Sequence, residues 1–158
     1  MAGNLFLKER GIITLTSSGS SLTASSGAAA ATDLDTRAGG NAPDDWAAMF
    51  ELVCQWATIT GIAAGTIVAD LYLVPLVDGT NLPDVDLTSG AAYIPYGYKV
   101  ASFSASKAPT ANTNMRFASP TVFLDQPALY RPHIINRSGQ AISSAWTLKS
   151  ISTQGQYS

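Results

Sequence analysis

The amino-acid sequence predicts an all-β domain, a β-sandwich of jelly-roll type with an extended N-terminal arm. About seven or eight segments alternate apolar and polar residues with the period of a strand. Clusters of Gly, Pro, Asn and Asp separate these segments at intervals of roughly ten residues, which is typical of a sandwich of short strands. No segment is better explained as a long helix, and a hydrophobic content of 46% over 158 residues suffices for one packed core.

The first 31 residues are predicted to form the arm, and residues 32–158 the sandwich. Residues 12–16 have the pattern of a strand, whereas from Thr14 to Ala31 every residue except Leu15 and Leu22 is Ser, Thr, Ala or Gly. This composition fits a solvated linker, or an arm or edge strand that becomes ordered against a neighbouring subunit. We favour the arm or edge strand, and we expect Leu15 and Leu22 to bind the partner.

Residues 46–60 fit two patterns. In a strand, one face would carry Trp46, Ala48, Phe50, Leu52, Cys54 and Trp56. In a helix capped by Asp44 or Asp45, one face would carry Trp46, Met49, Phe50, Val53, Cys54 and Ala57. The pattern alone leaves both open, but the continuation into Thr58, Ile59 and Thr60 favours the strand, because β-branched residues are enriched there.

The later strands are easier to place. Residues 66–74 predict a strand that ends at Pro75 and contributes Ile67, Leu71 and Leu73 to the core. Residues 77–98 contain repeated turn signals and predict a long loop. Further strands are predicted over 99–105, 114–124, 130–136 and 145–152, with a hairpin turn over 136–140 before the last of them.

Composition excludes several classes of function. Nine Lys and Arg against eleven Asp and Glu give a net charge of -2, so the sequence offers no basic surface for a nucleic acid. Cys54 is the only cysteine and His133 the only histidine, which excludes an intrachain disulfide, a thiolate metal cluster and a two-histidine metal site. These exclusions remove most enzyme classes and leave a small hydrolase that uses His133 as the weakest of the functional hypotheses, and we expect no cofactor.

His133 and Cys54 have ordinary structural explanations. His133 lies in a predicted strand on the same face as Arg131 and Ile135, so we expect a surface or packing histidine. Cys54 lies in an apolar stretch without positive neighbours, which predicts a buried and inert thiol.

Membrane insertion is not expected either. The first ten residues lack an apolar run of signal-peptide length, since Lys8, Glu9 and Arg10 follow Leu5, Phe6 and Leu7 directly. The longest weakly polar stretch, residues 56–77, is interrupted by glycines, Asp70 and Pro75, so it does not predict a membrane helix.

An acidic loop is the strongest metal candidate in the sequence, although a weak one. Asp78, Asn81, Asp84 and Asp86 offer oxygen ligands of the kind that calcium prefers. Their spacing does not match the twelve-residue calcium loop, no bidentate Glu follows, and the same residue types form ordinary turns. We therefore assign no metal and favour a structural loop.

Three tyrosines lie in the same long loop and are the candidate partner-binding residues there. Tyr93, Tyr96 and Tyr98 could pack over the end of the sandwich, or they could anchor a protein or glycan partner. The sequence leaves these two roles open.

Three segments carry a family resemblance. They are ATDLDTR at residues 31–37, ADLYLVPLVDGTN at residues 69–81, and INRSGQA at residues 135–141 followed by WTL at residues 146–148. In this order they resemble small structural proteins encoded in the head modules of tailed bacteriophages, and the likeness extends over most of the chain after residue 12. The motifs belong to strands and turns, so they are specific to a lineage and not to a reaction.

The resemblance implies a non-enzymatic virion protein, most simply a decoration (cement) protein on the capsid surface that is assembled in the host cytoplasm. Its partners would then be the major capsid protein or other virion proteins, and it would form a homo-oligomer such as a trimer. A tail or fibre module that binds a protein or glycan through residues 78–98 is the alternative. The resemblance transfers no catalytic residues.

Overall fold

The structure is a computed structural model that describes residues 5–17, 20–37, 45–81, 83–87, 92–95, 97–124, 128–143 and 146–157. In these ranges the chain forms eleven β-strands and no helix, which confirms the all-β prediction. The strands are β1 (Leu5–Glu9), β2 (Ile13–Ser17), β3 (Gly27–Ala29), β4 (Leu34–Asp35), β5 (Asp45–Cys54), β6 (Ile67–Pro75), β7 (Tyr98–Ser104), β8 (Met115–Ala118), β9 (Val122–Phe123), β10 (Leu129–Asn136) and β11 (Thr147–Tyr157).

The strands form two antiparallel sheets. Sheet I has the order β1-β11-β5-β8, with β2 also paired to β11 and β9 also paired to β5. Sheet II has the order β3-β10-β6-β7, with β4 also paired to β10. The apolar inner faces of both sheets meet in one core that includes Phe50, Trp56, Leu71, Phe103 and Ile134.

The strand order is that of a jelly roll. Three pairs of successive strands each lie beside the same neighbouring strand: β1 and β2 beside β11, β3 and β4 beside β10, and β8 and β9 beside β5. If each pair is counted as one strand position, the described residues form eight positions, numbered here in chain order. Sheet I then follows the order first-eighth-third-sixth, and sheet II follows second-seventh-fourth-fifth. Two interleaved Greek keys produce this arrangement, so the predicted jelly-roll form of the sandwich is confirmed.

The N-terminal segment consists of strands in the chain's own sheets. β1 is the outermost strand of sheet I beside β11, β2 pairs with β11, and β3 pairs with the outer side of β10. Of the two predicted forms, arm or edge strand, the structure has the edge strand. The division of the chain at residue 31 stays a prediction.

The prediction that Leu15 and Leu22 bind a partner is wrong, because both side chains are buried in the core of this chain. Backbone bonds hold them there: Leu22 exchanges two hydrogen bonds of 2.9 Å with Ile142, and the Leu15 carbonyl accepts one from Thr32. A segment of small residues contributes little apolar burial, but its backbone groups can form hydrogen bonds with other segments of the same protein.

β5 settles the ambiguity in favour of the strand as far as Cys54, whereas residues 57–60 lie outside any strand. Ala48, Phe50, Leu52 and Cys54 face the core, as the period of two predicts, and Trp56 follows them. Trp46 is the exception, since its ring is partly exposed. The register between β5 and β11 shifts between Thr153 and Gln154, opposite this end of β5, and an irregularity of this kind disturbs the alternation of the strand.

Ile67 is also not a core residue, contrary to the prediction. The pairing of β6 with β7 shifts between Ile67 and Ala69, which buries Val68 and leaves Ile67 43% exposed. The predicted core positions Leu71 and Leu73 are confirmed.

Residues 136–140 do not form a hairpin, because β10 and β11 lie in different sheets. The turn instead crosses the end of the sandwich and is anchored to its interior. The Asn136 amide donates to the carbonyls of Leu22 and Gln140, and the Ser138 hydroxyl accepts a bond of 3.0 Å from the Trp56 indole. This network also fixes the N-terminal segment.

The remaining strand predictions agree with β7, β10 and β11, although β11 extends further than predicted. The predicted strand over 114–124 is divided into β8 and β9. The interruption is at Ser119 and Pro120, where the Ser119 backbone and hydroxyl both bond to the backbone of Phe50. Proline has no backbone N–H to continue the ladder.

Candidate interaction surfaces

The outer face of sheet II is covered by the long loop that joins β6 to β7. Val74 and Ile135 on this face pack with Ile94 of the loop, and all three are buried. Tyr72 of the sheet and Val85, Leu87 and Ala92 of the loop surround them. The Leu87 carbonyl also accepts a 3.0 Å bond from the Gly27 backbone, which attaches the loop to β3. The loop therefore supplies a small second core, which we call the cover.

His133 lies on this covered face and is fully buried. Its Nδ1 is 2.9 Å from the Arg131 carbonyl, which can only accept, so Nδ1 carries the proton. Its Nε2 has no hydrogen-bond partner among the described residues. Burial lowers the pKa of His133, which keeps the ring neutral. Of the two predicted roles, the structure gives His133 that of a packing residue.

An ion cluster closes one end of the covered face. The buried Asp70 carboxylate pairs with Lys99 at 2.8 Å and with Arg137 at 2.9 Å, and it accepts a bond from the Ser102 hydroxyl. Burial alone raises the pKa of Asp70. The bonds from Lys99, Ser102 and Arg137 together lower it by more than burial raises it, so the pKa lies below its usual value. The cluster joins β6, β7 and the residue after β10.

The acidic loop uses its first carboxylate in its own turn. The Asp78 side chain accepts bonds from the Thr80 and Asn81 backbones and from the Asn81 amide, and these bonds lower its pKa. Among the described residues, no three Asp, Glu, His or Cys side chains stand close enough to hold a metal ion. Asp84 and Asp86 are thus not gathered with Asp78 into a site.

A groove opens at one end of the sandwich, where β6 ends and β7 begins; we call it the end groove. It encloses about 500 Å³ between the two sheets. Val77, Tyr98 and Phe123 line it and are 95%, 58% and 67% exposed. The Trp46 ring lies 5.6 Å from the Phe123 ring and extends the apolar rim. Pro75, Lys99, Leu124 and Tyr130 form other parts of its wall.

The structure separates the three predicted tyrosines. Tyr98 lines the end groove, whereas Tyr93 is exposed on the cover, where its backbone pairs with that of Asp86. Tyr96 lies outside the described residues. The sequence did not predict Val77 and Phe123 as site residues, since a single apolar residue beside a turn is not a specific signal.

The outer face of sheet I forms a second surface that the sequence reasoning missed; we call it the open face. Ile12 and Met49 are 71% and 42% exposed there, and Ile151 is partly exposed. With Glu51, Arg116 and Lys149 they line a shallow depression of about 380 Å³. Met49 and Ile151 occupy the outward positions of β5 and β11, so the alternation of these strands was the available signal.

Cys54 is buried, and burial raises the pKa of its thiol to about 12. The thiol is therefore protonated at neutral pH, as predicted for an inert cysteine.

In the described part of the chain, no helix has the length and apolar character to cross a membrane.

Comparison with known proteins gives structural likenesses only. No protein-family model matches the chain, and no curated protein sequence matches it. One similar structure is the carbohydrate-binding module CBM6cm-2 from Cellvibrio mixtus lichenase 5A, solved with cellotriose. It is 11% identical, with 93% of this chain and 88% of that chain covered, and the TM-score is 0.36.

Two viral capsid proteins are similar to a comparable or lower degree. The decameric BFDV capsid protein is 8% identical, with 99% of both chains covered and a TM-score of 0.37. VP2 of infectious bursal disease virus is 13% identical, with 96% of this chain and 42% of that chain covered and a TM-score of 0.21. At such low TM-scores, the jelly-roll assignment rests on the strand order of the chain itself.

Proposed function

We propose that the chain is a non-enzymatic structural protein of a virion, a decoration protein that binds across neighbouring capsid subunits of a tailed-phage head. The end groove is the observation that carries this proposal. It presents three largely exposed apolar side chains, Val77, Tyr98 and Phe123, in one concave site on a chain of low charge. The resemblance of residues 31–37, 69–81, 135–141 and 146–148 to phage head proteins supports the choice of partner.

The end groove has the composition of a protein-binding hot spot. Full burial of each large apolar side chain contributes about 1.5–3 kcal/mol, and aromatic residues in concave sites dominate the energy of many interfaces. Both sheets supply its walls, with Tyr98 at the start of β7 and Phe123 at the end of β9. Repeated binding on a capsid lattice would add to the affinity of each single contact.

The positions of the reactive residues support a non-catalytic role. His133 is fully buried beside the cover, and Cys54 is buried with a pKa of about 12. Neither side chain borders the end groove. The titratable residues that line it in the described part of the chain are Tyr98, Lys99 and the largely buried Tyr130.

A binding assay with undecorated heads tests the proposal. The full chain is mixed with purified particles that lack it, and the bound fraction is measured by co-sedimentation. Tyr98→Ala and Phe123→Ala should each weaken binding by at least about tenfold, which corresponds to about 1.4 kcal/mol. Ile67→Ala is the matched control, since Ile67 is exposed but does not line the groove. Wild-type binding by both groove variants would contradict the proposal.

A tail or fibre module is the second candidate function. The exposed rings of Tyr93 and Tyr98 on the 78–98 segment favour it, because aromatic faces can pack against sugar rings or protein side chains. Copy number separates the two functions. A decoration protein is present in many copies over the head in a particle map, whereas a tail module is present in few copies at the tail.

A further inference from the structure

The open face has a self-complementary arrangement of side chains. Met49 of β5 lies directly opposite Ile151 of β11, and two residues away Glu51 lies directly opposite Lys149. All four occupy outward positions of neighbouring central strands. An apolar pair and an oppositely charged pair therefore stand side by side across the line between β5 and β11.

These groups have weak partners within the chain. Glu51 pairs with Arg116 at 3.0 Å, but the Arg116 side chain is 68% exposed, and such surface pairs contribute little. Lys149 forms no ion pair with any described residue. Ile12 stands exposed at the edge of the same depression. The corresponding apolar residues of sheet II are buried under the cover.

We propose that the open face binds a second copy of this chain, face to face, around a two-fold axis that runs along the strands between β5 and β11. This axis exchanges the two central strands of the facing sheets. Met49 of each copy then meets Ile151 of the other, and Glu51 of each copy meets Lys149 of the other. The contact is isologous, so every favourable pair occurs twice.

The size of the face is sufficient for such a pair. β11 has 11 residues, and strands rise about 3.3 Å per residue, so the face is roughly 35 Å long. Four strands at a spacing of about 4.8 Å make it roughly 19 Å wide. Its area is on the order of 700 Å², close to the roughly 800 Å² that each partner buries in a typical specific interface.

The twist of β-sheets suits the same geometry. Two sheets stack face to face with their strands within about 30° of each other. An axis along the strands produces this aligned packing, whereas a perpendicular crossing would separate the Glu51 and Lys149 pairs. With a net charge of only -2 per chain, the repulsion between two copies is small.

This proposed dimer goes beyond the proposed function, which uses the end groove. Sedimentation velocity of the purified full chain over a range of concentrations tests it without particles. The wild-type chain should show a reversible dimer. Glu51→Lys and Lys149→Glu should each weaken it by at least about tenfold, and the double variant should restore the dissociation constant to within about threefold of wild type.

Two further variants separate the contact from a fold defect. Met49→Glu should abolish the dimer, whereas Ile67→Glu on sheet II should leave it intact although the two positions are equally exposed, at 42% and 43%. Thermal melting followed by circular dichroism checks that each variant is folded.

Three results would overturn the proposed dimer. The first is a wild-type chain that stays monomeric at every concentration, and the second is a dimer unaffected by Met49→Glu. The third is a monomeric chain whose binding to undecorated heads is lost in Met49→Glu but kept in Ile67→Glu, which would assign the open face to a capsid partner instead. Loss of particle binding by the end-groove variants alone leaves the dimer measurement unchanged, so the two proposals fail separately.

Discussion

The two sheets of the sandwich differ in what lies on their outer faces. On sheet II, the outward residues Val74 and Ile135 are as fully buried as the core between the sheets. On sheet I, the outward residues Met49 and Ile151 remain accessible beside Glu51 and Lys149. Both faces contain apolar residues, but among the described residues only the outer face of sheet II is covered by a loop of the chain.

The strand sequences reflect this difference. β6 (IVADLYLVP) is apolar at most positions on both faces, as is typical of a strand that is buried on both faces. β10 (LYRPHIIN) instead carries Arg131 and His133 beside Ile135 on its outward face. β11 (TLKSISTQGQY) places Leu148, Ser150 and Ser152 inward, where they are buried, and its outward residues Lys149 and Ile151 stay partly exposed. In the described part of the chain one long loop covers the outer face of sheet II, and the dimer that we propose would cover the outer face of sheet I.

The largest expected effect is on stability, from matched isoleucines on the two faces. Ile135→Ala should lower the free energy of unfolding by about 2–5 kcal/mol, because it leaves a cavity under the cover. Ile151→Ala should lower it by less than about 1 kcal/mol, because the side chain is already partly hydrated. Urea denaturation at a protein concentration too low for self-association measures both. Equal losses would show that the cover does not behave as a core.

A smaller effect is expected where the cover touches sheet II most closely. A Cβ on Gly97 would clash with the Ile94 side chain and lie 3.3 Å from Val74. Gly97→Ala should therefore destabilise the fold by about 1–3 kcal/mol. Gly11→Ala is the control, since a Cβ there meets nothing within 4 Å and the change in unfolded-chain entropy is the same.

Limited proteolysis sharpens this comparison. If Gly97→Ala loosens the cover, protease sites between residues 77 and 97 should be cut faster than in wild type, while the strands of sheet I stay resistant. A Gly97→Ala variant as stable and as resistant as Gly11→Ala would argue against close packing of the cover.

The architecture was predictable because most strands are either alternating or continuously apolar. The errors share a physical cause, which is that pairing between distant strands is invisible in a local pattern. Register shifts in the ladders account for Ile67 and accompany the displacement of Trp46 from the core. For Leu15 and Leu22, the local sequence shows little apolar area but does not show the backbone pairing with β11 and Ile142 that holds both residues in the core.

The interaction surfaces were less predictable than the fold. Tyr98 was identified from its place in a turn-rich loop, but the end groove also requires Phe123, which comes from the other sheet. The open face depends on the register that sets Met49 against Ile151 and Glu51 against Lys149. Neither arrangement exists within a short window of sequence.

The smallest expected effect is a pH dependence confined to the covered face. Burial lowers the pKa of His133 below the ordinary value of 6.5, so the unfolded chain binds a proton there more readily than the folded chain does. Arg131 and Asp33 are the charged groups beside it and partly oppose each other, and Tyr72 is its neighbour on β6. Stability should therefore fall as the pH drops from about 7 to 5.

One proton limits this slope to about 1.4 kcal/mol per pH unit, or about 3–6 °C in the melting temperature. Asp35, Asp70 and Asp78 have pKa values lowered from 3.8, so stability that depends on their charge is lost only at more acidic pH. The His133→Gln side chain is neutral over this whole range, so this variant should show a smaller change of melting temperature between pH 7 and pH 5 than the wild type. If the wild type and His133→Gln keep parallel pH profiles over that range, His133 is not the group that titrates when the chain unfolds.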